Sequence, residues 1–391
     1  MVASAQAIHN ARTAANYYQD EDCLAVGEAA STAWWGDGAA DLGLSGAVGG
    51  DQFTQLLMGF VGDVRLGNIR EGEMRHHPGC DITFSAPKSV SIMAQVAGDA
   101  RLFNAHRQAV EAALGHAQKY LASTQLRREG ERISEATGNL VVATFQHLTS
   151  RAHDPQLHTH AVVINATRGT DSTWRSLQEK ALMRCLKGLG DIYDQELAHA
   201  VSELGYGTVR TRTGFEIAGV PEAALRGMSQ RGAAIAAYLE ARSNPGKATD
   251  AQKRIAVLAT RKTKQAVTAE QLSVQWQDSA ASAGFGRTQQ SRLVEEARNS
   301  ARERSPDDCL DLLAWEAVGF AAAKLSERNA VFAERRLVEE AGAYAFGRLG
   351  QREIRLAVTE ARTHGGLIDR RYRTPHGRDL PGFTTPENIS T

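Results

Sequence analysis

The pattern of hydrophobic and polar positions predicts three strands in the first half of the chain. Residues 139–147 and 157–165 each predict a strand. A polar loop with Asp154-Pro155 separates the two, which predicts a hairpin and hence antiparallel pairing. Residues 80–84 alternate between apolar and polar side chains and predict a further strand, and a helix is expected to follow over residues 88–95.

Helical periodicity dominates much of the remaining sequence. Residues 4–18 are rich in alanine and predict a short helix that ends in the pair Tyr17-Tyr18, whereas the stretch with Trp34–Gly38 predicts a loop. Other expected elements are helices over 103–122, 178–204, 221–305 and 309–362, a small hairpin at 207–217, and a polar, basic tail up to residue 391. This order predicts an α+β protein, in which helices cover an antiparallel sheet and a mostly helical C-terminal extension follows.

Three of the twelve histidines fall in an informative arrangement. His158 and His160 are two apart on a predicted strand, so both imidazoles point to one face of the sheet. His147 lies on the preceding strand, and pairing through the loop brings it beside the other two. Three neutral imidazoles leave the charge of a divalent metal uncompensated and keep positions open for a substrate oxygen, which suits polarisation of a phosphodiester. Histidines that simply face solvent give the same H-x-H pattern.

Tyr17 and Tyr18 are candidate nucleophiles. A phenol has a pKa of about 10, so it needs activation by a nearby metal-bound phosphate or carboxylate. Asp81 lies at the start of a predicted strand, where it could orient a metal-ligating histidine or accept the phenolic proton. Taken singly, an aromatic pair at a helix end is typical of core packing, and an aspartate at a strand start is typical of a turn.

Composition narrows the class of protein. Hydrophobic residues make up 42% and charged residues 23% of 391 residues, which is typical of a folded globular protein. No apolar run approaches the roughly 20 residues of a membrane-spanning helix, and the N-terminus lacks a secretory pattern. We therefore expect no membrane insertion and a cytoplasmic location. Four scattered cysteines without a C-x-x-C pair support neither a zinc knuckle nor a disulfide framework.

The net charge is zero, but the charges are unevenly distributed. Residues 226–264 hold nine basic residues and two acidic ones, Glu240 and Asp250. A basic segment of this kind is able to follow a phosphate backbone, although a solvated helix face has the same composition.

Four segments, taken together, resemble the MobF-type conjugative relaxases, the TraI/TrwC family of HUH endonucleases. In chain order they are Asn16-Tyr17-Tyr18, Asp81–Ser91 (DITFSAPKSVS), Phe145–Arg151 (FQHLTSR) and Asp154–Val163 (DPQLHTHAVV). Four motifs in this order are far more specific than any one of them. The similarity extends over about residues 1–300.

The resemblance implies a fold, an activity and roles for individual residues. The fold would be an antiparallel sheet of the HUH/relaxase palm type. The activity would be site- and strand-specific nicking and rejoining of DNA at a transfer origin, through a 5′-phosphotyrosine link to single-stranded DNA. Tyr17 would be the nucleophile, Tyr18 its neighbour and substitute, and Asp81 the group that assists proton transfer and holds a histidine.

The resemblance also implies ligands and partners. The metal ligands would be His147, His158 and His160. Mg²⁺ or Mn²⁺ is expected there, with zinc, nickel or other divalent ions left open. DNA contacts are expected from Lys88, Arg151, Arg261, Lys262 and Lys264. The basic helical region after about residue 221 resembles the family's part that closes over bound single-stranded DNA. The expected partners would be accessory relaxosome proteins and a type IV secretion coupling protein. The protein would be transferred with the DNA out of a bacterial cytoplasm.

Two departures from the family pattern stand out. Well-known members carry a second tyrosine pair a few residues after the first, but here the stretch 22–26 reads DCLAV. Members also usually continue into a helicase, and residues 325–335 and 383–387 resemble the start of that region. We therefore divide the chain into a relaxase domain, 1–305, and a helical segment, 306–391. Because the loop G-x-x-x-x-G-K-[ST] is absent, a fragment of a longer protein is favoured over a naturally shortened form.

Two rival functions remain open at this point. A rolling-circle replication initiator or a transposase shares the paired histidines, but in many of these proteins the tyrosine follows them, and Tyr193 lies downstream on a predicted helix. The second rival is a DNA-binding scaffold in which the histidines hold a structural or hydrolytic metal without strand cleavage.

Overall fold

The computed structural model describes residues 3–20, 32–70, 73–128, 130–242, 248–260, 267–303, 310–373 and 379–389. The elements up to residue 128 are β1 (Ala3–Ile8), α1 (Ala11–Asp20), β2 (Thr32–Trp35), α2 (Asp37–Asp41), α3 (Gly50–Leu57), β3 (Phe60–Val61), β4 (Val64–Arg65), β5 (Asn68–Arg70), β6 (Glu73–Arg75), β7 (Gly79–Ser85), α4 (Lys88–Gln95), α5 (Arg101–Leu121) and β8 (Ser123–Arg128).

The middle of the chain continues the same mixture of helices and strands. Its elements are β9 (Glu131–Ala136), β10 (Val142–Thr149), β11 (Pro155–Ile164), β12 (Thr167–Arg168), β13 (Trp174–Arg175), α6 (Glu179–Arg184), α7 (Leu186–Glu203), β14 (Thr208–Thr211), β15 (Gly214–Ile217), α8 (Glu222–Gly227) and α9 (Gln230–Glu240).

The last part of the chain is mostly helical. Its elements are α10 (Asp250–Ala259), α11 (Ala269–Ser282), α12 (Arg287–Glu303), α13 (Leu310–Ser326), β16 (Phe332–Ala333), α14 (Glu334–Tyr344), α15 (Gln351–Thr363), β17 (Ile368–Arg373), β18 (Asp379–Thr384) and a short 3₁₀ helix (Pro386–Ile389).

The central sheet has five strands in the order β1–β7–β11–β10–β2, and each neighbouring pair is antiparallel. The predicted hairpin is present, because β10 and β11 pair directly through the turn between them. The strands predicted at 80–84, 139–147 and 157–165 correspond to β7, β10 and β11. The α+β prediction with an antiparallel sheet is therefore confirmed.

Both faces of this sheet are covered, and the alternation along β11 shows how. Ala161 and Val163 belong to a large core that also contains buried residues of α4, α5 and α7. Val162 and Ile164 point the other way, into a second core with buried residues of α1 and α3. His158 shares the face of this second core, since side chains two apart on a strand lie on one side.

Two predictions for the N-terminal part were wrong. Residues 4–18 were predicted as one helix, but Ala3–Ile8 form a strand that pairs with β7, and the helix starts only at Ala11. The stretch with Trp34 was predicted as a loop, but β2 pairs with β10. In both places sheet pairing overrides local propensity. The helix preference of alanine and the loop preference of glycine contribute less free energy than the backbone hydrogen bonds and packing of an added edge strand.

The helical segment α8–α12 agrees with the helices expected over 221–305 and lies beyond the sheet in sequence. It is thinly packed in places, since α9 has no buried residue. Ile255 and Leu258 of α10 are exposed hydrophobic side chains.

The C-terminal part forms a core of its own. The buried side chains of α13, α14 and α15 pack together with Phe332 and Phe383. The polar tail expected after residue 362 instead contributes β17 and β18 to a three-stranded sheet with β16. A boundary near residue 305 stays a prediction.

Two smaller expectations concern membranes and cysteines. Within the described ranges, no helix combines the length and the apolar character needed to cross a lipid bilayer. Cys80 and Cys185 are free thiols, and the other two cysteines lie outside the described residues.

Candidate active site

The three predicted histidines meet at one end of the central sheet. His147 of β10 lies directly opposite His158 of β11 in the strand register, and His160 is two residues further along the same face. The ring centroids are 5.1–5.3 Å apart. One ligand nitrogen from each imidazole lies within 4.8 Å of the others.

Two of these imidazoles are oriented through their Nδ1 atoms. Nδ1 of His158 lies 3.0 Å from the carbonyl oxygen of Gln156, and Nδ1 of His160 lies 2.8 Å from Oδ2 of Asp81. A carbonyl or carboxylate oxygen accepts, so each Nδ1 donates, and the lone pair of Nε2 remains for a ligand. Burial and the neighbouring His160 lower the pKa of His158 to about 4, so its imidazole is neutral at neutral pH.

Asp81 of β7 is fully buried behind this histidine cluster. Its Oδ2 accepts hydrogen bonds from His160, from the Tyr18 hydroxyl at 2.8 Å and from the Gln6 amide at 3.1 Å. Thr83, two residues along β7, donates to Oδ1 at 3.3 Å. Burial alone would raise the pKa of Asp81, but His160 and these donors outweigh it and hold the pKa below its usual range. The carboxylate therefore stays ionised and fixes His160.

The two adjacent tyrosines of α1 have different surroundings. Tyr18 is only 2% exposed and stacks on Phe145, with ring centroids 5.0 Å apart. Its hydroxyl donates to Asp81, and burial together with that carboxylate raises the pKa of Tyr18 far above its ordinary value. Tyr18 is therefore a buried hydrogen-bond donor to Asp81.

Tyr17 is half-buried and lies at the edge of the histidine cluster. Its ring is edge-on to His160, with centroids 6.4 Å apart. Nη2 of Arg151 donates to the Tyr17 hydroxyl oxygen at 3.2 Å, and the same guanidinium lies over the tyrosine ring. A cation at this position stabilises negative charge on the phenol oxygen.

The donor set of the three histidines fits a divalent cation. Three nitrogens bound to one ion at about 2.1 Å each are at most about 4.2 Å apart. The observed separations of up to 4.8 Å need only a slight inward rotation of the rings. The three neutral donors leave the positive charge of the ion available to an anionic substrate.

Most of the chain matches a known family and known structures. The family model for TrwC relaxase matches residues 3–283. The chain belongs to the TrwC relaxase family. The multifunctional conjugation protein TraI of Escherichia coli is 37% identical over 346 residues, which is 83% of this chain and 19% of TraI. The chain thus spans about a fifth of the length of the curated relatives that it matches.

Solved structures of the TrwC relaxase family also resemble the chain. The conjugative relaxase TrwC in complex with oriT DNA, in a metal-free structure, has a TM-score of 0.66 and 36% identity. The likeness covers 72% of this chain and 99% of that one. A metal-bound structure of TrwC with oriT DNA gives a TM-score of 0.67 at 36% identity, over 72% of this chain and 98% of that one.

Tyr193, which a replication initiator or transposase would use, lies away from the histidine face of this TrwC-type sheet. It is fully buried on α7, and its hydroxyl lies 2.7 Å from Nδ1 of His106. Nε2 of His106 in turn bonds Thr159, whose side chain points to the opposite face of β11 from His158. Membership of the relaxase family and this burial both oppose the rival assignment.

The predicted DNA-binding residues are only partly described by the structure. Lys88, at the start of α4, donates to the carbonyl oxygen of Pro155 at 2.8 Å. Burial lowers the pKa of Lys88 to about 8, although Asp154 and Glu216 act in the opposite direction. This contact gives no support to a role for Lys88 on DNA. Arg261, Lys262 and Lys264 lie outside the described residues, as does the stretch 22–26.

Sequence reasoning missed several members of this relaxase site. Thr83 shares the face of Asp81 on β7, so the alternation of that strand could have indicated it. Gln6 was assigned to a helix, which hid its place on β1 opposite Asp81. Phe145 stands one position before Gln146 in a predicted strand, but nothing local marks it as the surface on which Tyr18 stacks.

Proposed function

We propose that the chain nicks and rejoins single-stranded DNA at a transfer origin of a plasmid or integrative element. The observation that carries this function is the position of Tyr17, which meets His160 at the edge of a three-histidine cluster and receives a hydrogen bond from Arg151. A nucleophile, a metal-type site and a cation are thereby brought together. TrwC, which is 36% identical and was solved with oriT DNA, supports the substrate class.

Cleavage in this proposal is an ester exchange at phosphorus. The phenol oxygen of Tyr17 forms a bond to the phosphorus, and the bond from phosphorus to the 3′ oxygen breaks. The phenolic proton passes to water, and the departing 3′ oxygen takes up a proton, so the balance is one ester for another. The guanidinium of Arg151 stabilises the charge that develops on the tyrosine oxygen. Because one ester replaces another, the rejoining step stays accessible without a nucleotide cofactor.

A divalent metal held by His147, His158 and His160 would polarise the non-bridging oxygens of the scissile phosphate. We propose Mg²⁺ or Mn²⁺ as the ion in the cell, since availability decides among ions that such a donor set accepts. Asp81 positions His160 through its carboxylate. Its part in proton transfer stays a prediction, because its Oδ2 is already engaged by Tyr18 and Gln6.

A second cleavage on the same chain needs a second nucleophile or the reuse of the first. Tyr18 was the expected substitute, but its hydroxyl is buried and bonded to Asp81. We therefore propose that Tyr17 is reused after rejoining, or that a second copy of the protein supplies its own Tyr17.

Partners follow from this role as proposals. Accessory proteins would assemble with the chain at the transfer origin, and a type IV secretion coupling protein would receive the DNA-linked form. Because the matched relatives are more than four times as long as this chain, the activities of their remaining parts are not assigned to it.

The proposal is tested by forming the covalent product. The protein is incubated with Mg²⁺ or Mn²⁺ and single-stranded oligonucleotides tiled across the DNA beside its own gene. A denaturing gel detects a protein–DNA species, and mass spectrometry locates it. An adduct on Tyr17 is the expected result. An adduct on Tyr193 would favour the initiator or transposase chemistry, and bound metal without an adduct on any tile would favour the non-cleaving scaffold.

A further inference from the structure

The turn between β10 and β11 is tightly structured. Ser150 N–H donates to the Asp154 carbonyl at 3.0 Å, and the Ser150 hydroxyl donates to Oδ2 of Asp154 at 3.1 Å. The same hydroxyl oxygen accepts from the N–H groups of Ala152 and Asp154. The turn is therefore fixed by its own hydrogen bonds, and its placement depends on what holds Asp154.

Asp154 also holds the start of α9. Its Oδ1 accepts from the N–H of Gln230 at 3.2 Å, and its Oδ2 accepts from the N–H of Arg231 at 3.0 Å. The side chain is 2% exposed. A carboxylate on the unsatisfied N–H groups of a helix start makes charge-assisted bonds and opposes the positive end of the helix dipole. One side chain thus links the turn to the helical segment α8–α12.

The link extends through the helical segment. The Arg231 guanidinium donates to the carbonyl oxygens of Thr260 and Val257, both at 2.7 Å, so α10 is tied to the start of α9. The indole N–H of Trp276 on α11 donates to the carbonyl oxygen of His153 at 2.7 Å. Two helices that are far from the turn in sequence, α9 and α11, are therefore hydrogen-bonded to the turn, and α10 is hydrogen-bonded to the start of α9.

The same turn reaches the reaction site on its other side. Arg151 precedes His153 and Asp154 in the same turn, and its guanidinium donates to the Tyr17 hydroxyl. The turn also joins the strands of His147 and His158. A shift of about 1 Å in a positioning group is enough to slow a reaction by up to about 100-fold.

We propose that Asp154 is a positioning residue that, together with the bond from Trp276 to the same turn, couples α9, α10 and α11 to the nucleophile. While Asp154 holds the start of α9, the turn keeps Arg151 against Tyr17. Movement of the helical segment as a nucleic acid strand enters or leaves is thereby transmitted to the tyrosine. The coupling rests on the proposed nicking function. It makes Asp154, which lies outside the metal site, a residue on which the rate of nicking depends.

Asp154→Asn tests this coupling, because the amide keeps the size but loses the charge and replaces one of the two acceptor oxygens with a donor. The rate of Tyr17 adduct formation is measured in a single turnover over a range of concentrations of the best oligonucleotide tile, with Mn²⁺. We expect the saturated rate to fall about tenfold, and the half-saturating concentration to change less. The affinity for Mn²⁺ alone, measured by calorimetry, is expected to match that of the wild type. Asp191→Asn, an exposed change on α7, is the matched control and is expected to leave the rate unaltered.

The double variant Asp154→Asn/Arg151→Lys decides whether Asp154 acts through Arg151. We expect the double variant to react within about twofold of Arg151→Lys alone, since residues that act as one unit are not additive. A double variant slowed by the product of the two single effects contradicts the coupling. A loss of Mn²⁺ affinity in Asp154→Asn that matches its loss of rate also contradicts the coupling.

A second variant keeps the test decisive if Asp154→Asn does not fold. Trp276→Phe removes the bond to the His153 carbonyl and keeps most of the packed ring. It is combined with Arg151→Lys in the same way, with the same non-additive result expected, and additive effects would overturn the coupling. A wild-type protein that forms no adduct removes the proposed function and this coupling with it, whereas a wild-type adduct with additive variants removes the coupling alone.

Discussion

The central sheet and the helical segment α8–α12 are built in opposite ways. In the sheet, the site side chains are fixed on paired strands and are largely hidden, with Asp81 fully buried and His160 only 8% exposed. In the helical segment, α9 buries no residue and α10 exposes Ile255 and Leu258. The chemistry needs fixed distances, whereas a surface that contacts a flexible strand must stay accessible. The difference indicates that the two regions depend on different groups, although they are joined at Asp154.

The largest effect is expected at the nucleophile, which belongs to the sheet side of the comparison. Tyr17→Phe removes the attacking oxygen, and we expect adduct formation to fall by about 10⁴-fold or more while single-strand binding persists. Tyr18→Phe is the matched control, since it loses a hydrogen bond to Asp81 but no attacking group. Equal losses in the two variants, measured on a denaturing gel, would contradict the assignment of Tyr17.

The metal ligands come next. His158→Ala removes one of three imidazoles, so metal affinity and cleavage are expected to fall together by on the order of 100-fold. Calorimetry with Mn²⁺ and the adduct assay measure the two effects in parallel. His77→Ala, a histidine bonded to Glu179, is the control. Unchanged metal-dependent cleavage in His158→Ala would remove this residue from the site.

A smaller effect is expected for the residue behind the ligands. Asp81→Asn keeps the shape but weakens the bond that orients His160, and we expect cleavage to slow by about 10- to 100-fold. Binding of single-stranded DNA, measured by fluorescence anisotropy, is expected to stay close to that of the wild type. A large loss of binding would indicate that Asp81 supports the fold instead.

The smallest effect is expected on the helical side. Neutralising Arg261, Lys262 and Lys264, which stay predicted DNA contacts, should weaken single-strand binding and leave cleavage at saturating DNA unchanged. Affinity falls as salt rises, and each lost phosphate contact makes the slope of log affinity against log salt concentration less steep by about 0.7. Lys187→Gln on the exposed side of α7 is the control. An unaltered slope would mean that these residues form a solvated surface.

The parts of the fold that the sequence predicted are those with a local signal. β7 alternates, β10 and β11 are bounded by polar residues of the loop between them, and the H-x-H spacing placed His158 and His160 on one face. β1 and β2 escaped prediction because their formation depends on pairing with β7 and β10, which are distant in the chain. Pairing with a distant strand leaves no hydrophobic pattern in the alanine-rich segment of β1 from which the strand could be predicted.

The roles of neighbouring residues were readable only in part. Tyr17 and Tyr18 are adjacent on a helix, so they must point in directions about 100° apart, and one of them faces inward. Which one is buried depends on Phe145 and Asp81, whose places are set by other strands. In the same way, no spacing in the sequence connects Asp154 with Gln230, because their contact exists only after the helical segment has docked.

The strand register that pairs His147 with His158 has a consequence for how such a chain can change by descent. A slip of one residue in β11 would turn His158 and His160 to the other side of the sheet and would move Val162 and Ile164 out of their core. A register slip of this kind therefore cannot misplace the histidines without also disrupting the hydrophobic core. A lineage that loses nicking in this way would lose the folded protein as well, so inactive but intact descendants are expected to carry point substitutions at the site itself.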